Sequence, residues 1–290
     1  MSTNPLYRGA LLIILSEFFL VLSGMLIKQL SGELPTEVIV LARNLFALLL
    51  LLPWLYSVGL RRIYTQNVHL HFARAAVGVT AMMCLYYAWG NLPLAEAALI
   101  KQTAPFFVPL IAFFWLRERI GNRVKIAIFI GFCGVFLILN PTDQTINIAV
   151  LIALFGAMLG ALAKVIVRRM SISESPQQVV FYFAFFSTVL AFVPAILNWV
   201  TPSLAACGWL LCVALTSTIA QLLLSKGYGL APAGQLGPYT YSSVVFAALF
   251  GWLFWQEVLD LNSIIGVVLI ISAGVLSAVS RKNKQSKADN

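Results

Sequence analysis

Residues 9–30 read GALLIILSEFFLVLSGMLIKQL, an apolar run in which Glu17 and Lys28 are the charged positions. About 20 apolar residues suffice for an α-helix to cross the roughly 30 Å hydrocarbon core of a bilayer. The run exceeds the roughly 7–15 residue core of a secretory leader. It ends in Gln29-Leu30-Ser31-Gly32-Glu33 and not at a small-residue cleavage site, so it reads as a retained first span. Working outward, similar stretches recur over 36–57, 72–91, 95–116, 123–140, 148–167, 179–198, 205–226, 234–255 and 262–280. The predicted fold class is an all-α integral membrane protein of ten transmembrane helices.

Composition agrees. Of 290 residues, 61% are hydrophobic and 10% charged, with a mean hydropathy of +0.92. A soluble domain carries roughly 25% charged residues, so too little polar surface is present to cover a water-soluble globule. The net charge of +9 would suggest a nucleic-acid partner in a soluble protein, but its distribution is topological. With a cytoplasmic N-terminus, the inner segments collect Arg8, then Arg61, Arg62 and Arg74, then Arg117, Arg119, Arg123 and Lys125. Further on they collect Lys164, Arg168 and Arg169, then Lys226, and finally Arg281, Lys282, Lys284 and Lys287. The outer loops carry Glu33, Glu37, Glu96, Asp143, Glu257 and Asp260. This positive-inside asymmetry places both termini in the cytoplasm and leaves no nucleic-acid role to explain. His69 and His71, in an inner loop beside a helix start, read as solvated. Cys84, Cys133, Cys207 and Cys212 lie inside apolar runs with no Cys-x-x-Cys pair, so neither a disulfide framework nor a metal site is expected.

The two halves echo each other. At one constant offset Leu92-Pro93 meets Ala231-Pro232, Phe107 meets Phe246, Leu110 meets Leu249, Ala112 meets Gly251 and Glu118 meets Glu257. After one residue of slippage Gly134-Val135 meets Gly274-Val275. Residues 1–142 and 146–280 are thus expected to form two five-helix repeats, followed by a basic cytoplasmic tail over 281–290. Five is odd, so the second repeat must be inserted upside down. Inverted repeats are a recurring plan of secondary transporters.

The residues carrying this scheme resemble the EamA-type permeases of the drug/metabolite transporter superfamily. They are Lys28, Pro35, Ala42-Arg43, Tyr86-Tyr87-Ala88-Trp89, Leu92-Pro93-Leu94-Ala95-Glu96-Ala97, Pro105, Pro109, Leu116-Arg117-Glu118-Arg119, Gly131 and Gly134. The second half adds Tyr228-Gly229-Leu230-Ala231-Pro232-Ala233 and Trp255-Gln256-Glu257. The resemblance covers about residues 9–280. It implies ten helices in two inverted halves, no cofactor, and a central cavity reached by alternating access, with a substrate drawn from a range of small metabolites.

Charges inside a bilayer cost several kcal/mol unless paired or wet, which makes them functional candidates. Glu17 and Arg43 each lie about 12 Å into their spans, from opposite faces, at about 1.5 Å rise per residue. They are expected within reach of each other, as a structural clamp or as a pair that binds substrate or a proton. Lys101, with Gln102 beside it, lies in span four, while Lys28, Lys164 and Lys226 near helix ends are expected to snorkel. Pro105 and Pro109 in span four, and Gly237 and Pro238 in span nine, should break matching helices and free backbone groups near a cavity. Tyr86 in span three and Tyr239 and Tyr241 in span nine supply rings and hydroxyls; Tyr241 is the deepest. Gly156-x-x-x-Gly160 in span six reads as close helix packing.

No His-Glu-x-x-His, Gly-x-Ser-x-Gly or Walker loop is present to support an enzyme. The expected function is secondary transport of a small organic metabolite, an amino-acid derivative or similar zwitterion or anion, across a bacterial inner membrane. Export is one direction; uptake or exchange of a nucleoside-like or vitamin-like metabolite is the alternative. The expected partners are the substrate, the bilayer and a proton as one admissible coupling ion, in a monomer or homodimer.

Overall fold

The computed structural model describes residues 5–59, 64–104, 106–107, 110–111, 122–139, 147–170, 174, 176–230, 236–258 and 260–286. In chain order the helices are α1 (Pro5–Leu30), α2 (Thr36–Val58), α3 (Val68–Asn91), α4 (Leu94–Lys101), α5 (Asn122–Leu139), α6 (Ile148–Met170), α7 (Pro176–Leu197), α8 (Leu204–Leu230), α9 (Ser242–Trp255) and α10 (Leu261–Ser286). A 3₁₀ turn over Gly237–Tyr241 precedes α9. No strand occurs among the described residues. Among the described residues, five stretches are long and apolar enough to cross a membrane: Leu6–Leu30, Thr36–Ser57, Val68–Asn91, Gln178–Leu197 and Leu204–Leu224. Shorter apolar helices cover Lys125–Leu137, Ile148–Ala163, Tyr239–Trp255 and Leu261–Leu276.

Span four departs from a simple 22-residue helix. α4 stops at Lys101, four residues before Pro105, which has no N–H to return to the Lys101 carbonyl. Beyond that point the bonds tighten to i→i+3, from Gln102 N to Leu99 O at 2.9 Å and from Thr103 N to Ile100 O at 3.0 Å. Pro105 and Pro109 themselves lie outside the described residues. Span nine breaks where expected, with Gly237 and Pro238 opening the 3₁₀ turn.

Lipid tails are as apolar as leucine, so helices in a bilayer associate through close contact at small residues. α1 lies against α8. Gly9 and Gly227 meet there, and a Cβ on either would sit 3.3 Å from the other's carbonyl oxygen. Two turns further on, Ser16 Oγ donates to Ala220 O at 2.8 Å. α3 packs on α6, where Gly156 leaves room for Cys84, and α5 packs on α10, where Gly134 faces the Gly266 carbonyl. Gly160 touches nothing a Cβ would displace. α2 packs on α7 and α4 on α9.

The outward faces stay apolar. Leu11, Leu49, Phe129, Phe192, Val193 and Leu253 are exposed, as a surface solvated by acyl chains requires. A recess of about 390 Å³ on α5, lined by Phe129, Phe132, Cys133, Phe136 and Leu137, belongs to this lipid-facing surface. None of the buried charges lines it.

Candidate functional site

Glu17 is 3% exposed, in the middle of α1. Its partner is Lys101 of α4, with Nζ 3.1 Å from Oε2. Arg43 of α2 is 5% exposed and turns elsewhere. Its Nε donates to Ser217 Oγ on α8 at 3.0 Å and its Nη1 to Asn44 Oδ1 at 2.8 Å. Asn44 is itself held by donation to Val40 O at 2.9 Å. The expected Glu17–Arg43 pair is therefore not formed. Depth along a span places a charge in one dimension; which neighbour it meets depends on the rotation of the helix about its axis. Glu17 looks across to the end of α4 and Arg43 to α8.

Arg74 was assigned above to the basic inner segment, yet it faces the interior of the bundle. Its guanidinium lies over the Phe183 ring of α7, with Cζ 4.2 Å from the centroid, in space left by the missing Cβ of Gly78. Its Nε and Nη1 are buried without a hydrogen-bond partner among the described residues. Asn44, beside Arg43, brings its Nδ2 to 3.9 Å from Met82 Sδ on α3. Tyr86, fully enclosed, leans on Trp89 with ring centroids 5.5 Å apart. His71, Arg74, Gly78, Met82 and Tyr86 follow at three- and four-residue steps, so they share one face of α3.

The remaining candidates separate. Gln102 is a pin between the two broken spans: its Nε2 donates to Thr240 O and to Ser243 Oγ, each at 2.8 Å, and Thr240 Oγ1 donates to its Oε1 at 3.3 Å. Ser243 Oγ donates to the same Thr240 carbonyl at 2.9 Å. Tyr241 points away from the charges into an apolar cluster with Leu99, Phe106, Val135, Val244, Ile270 and Ala273. Its hydroxyl lacks a partner among the described residues and rests where Gly274 has no Cβ. Tyr239 packs on Ala10, Ile13 and Leu236 near the start of α1.

Each end of the bundle is tied by a charged cluster. At one end the chain turns back at Gln256, whose φ of 54° is left-handed, and the missing Cβ of Gly251 leaves room for the Glu257 carboxylate. Glu257 meets Lys28 Nζ at 2.7 Å and accepts the Leu94 amide at 2.8 Å, while Lys28 also donates to Leu92 O at 2.7 Å. Lys28 thus does not snorkel into the headgroups as expected. Its neutralising partner sits beside it at the mouth of the bundle. Lys226 is exposed, and the Lys164 side chain lies outside the described residues.

At the opposite end Glu174, which follows α6, accepts hydrogen bonds from Thr65 Oγ1 at 2.5 Å and Asn67 Nδ2 at 3.0 Å. His71 Nε2 lies 3.5 Å from its other oxygen. Burial pushes the Glu174 carboxyl up, but the bonds from Thr65 and Asn67 and the His71 charge outweigh it and hold the group below its ordinary value. His71 is not solvated: it is 1% exposed, with its ring 4.5 Å from that of Tyr182. Glu174 carried no apolar context to mark it in the sequence.

Buried ion pairs and hydrogen-bonded charges inside an apolar helical bundle define a multi-pass membrane protein with a polar interior. The chain belongs to the EamA-like transporter family, which matches residues 7–140 and again residues 147–279. It is 31% identical to the pseudopaline exporter CntI of Pseudomonas aeruginosa over 98% of this chain and 100% of that one. An S-adenosylmethionine uptake transporter of Rickettsia bellii is 26% identical over 90% of this chain and 89% of its own. A riboflavin transporter of Vibrio cholerae is 26% identical over 82% and 81%. A crystal structure of another protein aligns with 97% of this chain and 99% of its own at a TM-score of 0.64; at 16% identity that likeness carries the fold alone. Family and relatives are transporters of small molecules and not enzymes.

Proposed function

We propose that the protein is a secondary transporter that moves a small organic metabolite across the bacterial inner membrane by alternating access, in the outward direction. The carrying observation is a set of charges of the first half buried in the bundle interior, one of them held by a hydroxyl of the second half: Glu17 with Lys101, and Arg43 with Ser217. Such groups persist in a bilayer when they face a wet or substrate-bearing path. Export is favoured because the full-length likeness at 31% identity is to a protein named as an exporter.

Two inverted halves, 1–142 and 146–280, supply the alternation in this reading. Exchanging each span of the first half with its counterpart in the second turns the α1·α8 contact into α6·α3, and both are present. It also turns α3·α7 into α8·α2 and α1·α9 into α6·α4, again both present, while α2·α7, α4·α9 and α5·α10 map onto themselves. The double family match supports the same division. The Lys28–Glu257 cluster closes the outer end and the Glu174 cluster the cytoplasmic end, with both termini inside; each must part in turn.

The test is counterflow in proteoliposomes loaded with amino acids, their carboxylated derivatives, nucleosides and vitamins. Accumulation of one class, lost on Glu17→Gln, is expected. Absence of movement for every class by folded protein would defeat the proposal.

A further inference from the structure

We infer that Arg43 and Arg74 form a receptor for an organic dianion, a molecule presenting two carboxylates or a phosphate to the bundle interior. The inference rests on the transporter reading and names the charge that the substrate brings.

Every other described cation facing the interior has a carboxylate. Lys28 has Glu257 and Lys101 has Glu17. Arg43 and Arg74 have none within 4.0 Å among the described residues, which leaves two positive charges uncompensated. An arginine cannot shed its proton to escape this situation. The Arg74 guanidinium lies at Gly78, one helical turn from Met82, whose Sδ is 3.9 Å from Nδ2 of Asn44, the residue that holds Arg43, so each charge also raises the cost of the other.

The geometry leaves donors ready. Arg43 is aimed by Ser217 and Asn44, which take up Nε and Nη1 and leave the rest of its fork unengaged by described groups. Arg74 is held from behind by Phe183 through the face of its guanidinium, and its buried Nε and Nη1 have no acceptor among the described residues. A guanidinium edge matches two acceptor oxygens of a carboxylate or phosphate. Cation–π contact supports a cation without consuming its donors. Aimed donors, absent counter-charge and mutual repulsion are what an empty dianion site contains; a structural pair would have carried its own acid.

The test uses the full chain in nanodiscs of phosphatidylcholine, a lipid without net charge. Thermal unfolding is followed with glutarate, glycerol 3-phosphate, butyrate or glutaramide added. A dianion is expected to raise the midpoint, butyrate to raise it less, and glutaramide to leave it unchanged. Glutarate against glycerol 3-phosphate tells a dicarboxylate site from a phosphate site. Arg74→Met is expected to raise the ligand-free midpoint, because it deletes a buried charge lacking a counter-ion, and to abolish the response to dianions. Arg74→Lys is expected to keep part of that response. No dianion response in the wild type, an equal response to glutaramide, or an unchanged dianion response in folded Arg74→Met would overturn the inference. So would a lower ligand-free midpoint in Arg74→Met, the mark of an arginine that serves packing. Binding of a dianion that proteoliposomes do not move defeats the transport reading and leaves the site. Movement of a neutral metabolite indifferent to Arg74→Met defeats the site and leaves the transport reading.

Discussion

Lys101 Nζ lies 3.1 Å from Glu17 Oε2, joining the middle of α1 to the last residue of α4 where that helix breaks. Removing one member strands the other in a medium that cannot solvate it. Glu17→Gln or Lys101→Met alone is expected to cost about 1–3 kcal/mol, below the ~3–5 typical of fully buried pairs because Lys101 is partly accessible. The double variant is expected to recover most of that in a thermal-unfolding cycle while transport stays lost. Full transport by a well-expressed double variant would remove the pair from the substrate path.

Glu257 holds two different partners, and they can be told apart. Exchanging the charges, Lys28→Glu with Glu257→Lys, restores the ion pair but leaves the Leu94 amide facing a cation. The swap is expected to rescue only part of the roughly 1–3 kcal/mol lost on breaking the partly buried pair. A complete rescue in the unfolding midpoint would mean that the Leu94 bond contributes nothing.

The Glu174 cluster predicts a response to acid. A carboxyl held below its unfolded value stabilises the fold fully above that value, ordinarily about 4.5, and loses this contribution as pH falls through the lowered folded value. The midpoints of wild type and Glu174→Gln are therefore expected to differ most above pH 4.5 and to converge on acidification. Parallel curves across that window would refute the assignment.

Tyr241 and Gly274 make a steric pair. Gly274→Ala would drive a methyl group into the Tyr241 ring and hydroxyl, with an expected loss of about 1–3 kcal/mol. Tyr241→Phe removes a buried hydroxyl that has no partner among the described residues and is expected to be neutral or stabilising by about 1 kcal/mol. Loss of transport in that variant with stability retained would return Tyr241 to the substrate path.

The helical segments could be read along the chain, because hydrophobic length is a one-dimensional quantity. Lateral contacts were harder. Glu17 and Arg43 are both buried in the bundle, as their apolar surroundings in sequence suggest, but not joined, since one residue of helical rotation turns a side chain by about 100° and chooses its neighbour. Arg74 and His71 were assigned to the aqueous boundary because both lie near the start of α3. Both share the stripe with Gly78 and Tyr86, and that three-and-four spacing was the signal available. Gln102 was picked out for its position, but its amide is occupied by the ninth span, a partner 138 residues away.

The contact between α1 and α8 also sets a timetable for biogenesis. Ser16 and Ala220 are 204 positions apart, so at about 5–20 residues per second α1 waits roughly 10–40 s in the bilayer before its long-term neighbour emerges. Glu17 meets Lys101 after 84 residues, roughly 4–17 s at that rate. The acid on the first helix is thus neutralised well before its packing face is covered. In the interval the stripe of Gly9, Ser16 and their neighbours is open to lipid, to the insertion machinery, or to the eighth helix of another nascent chain.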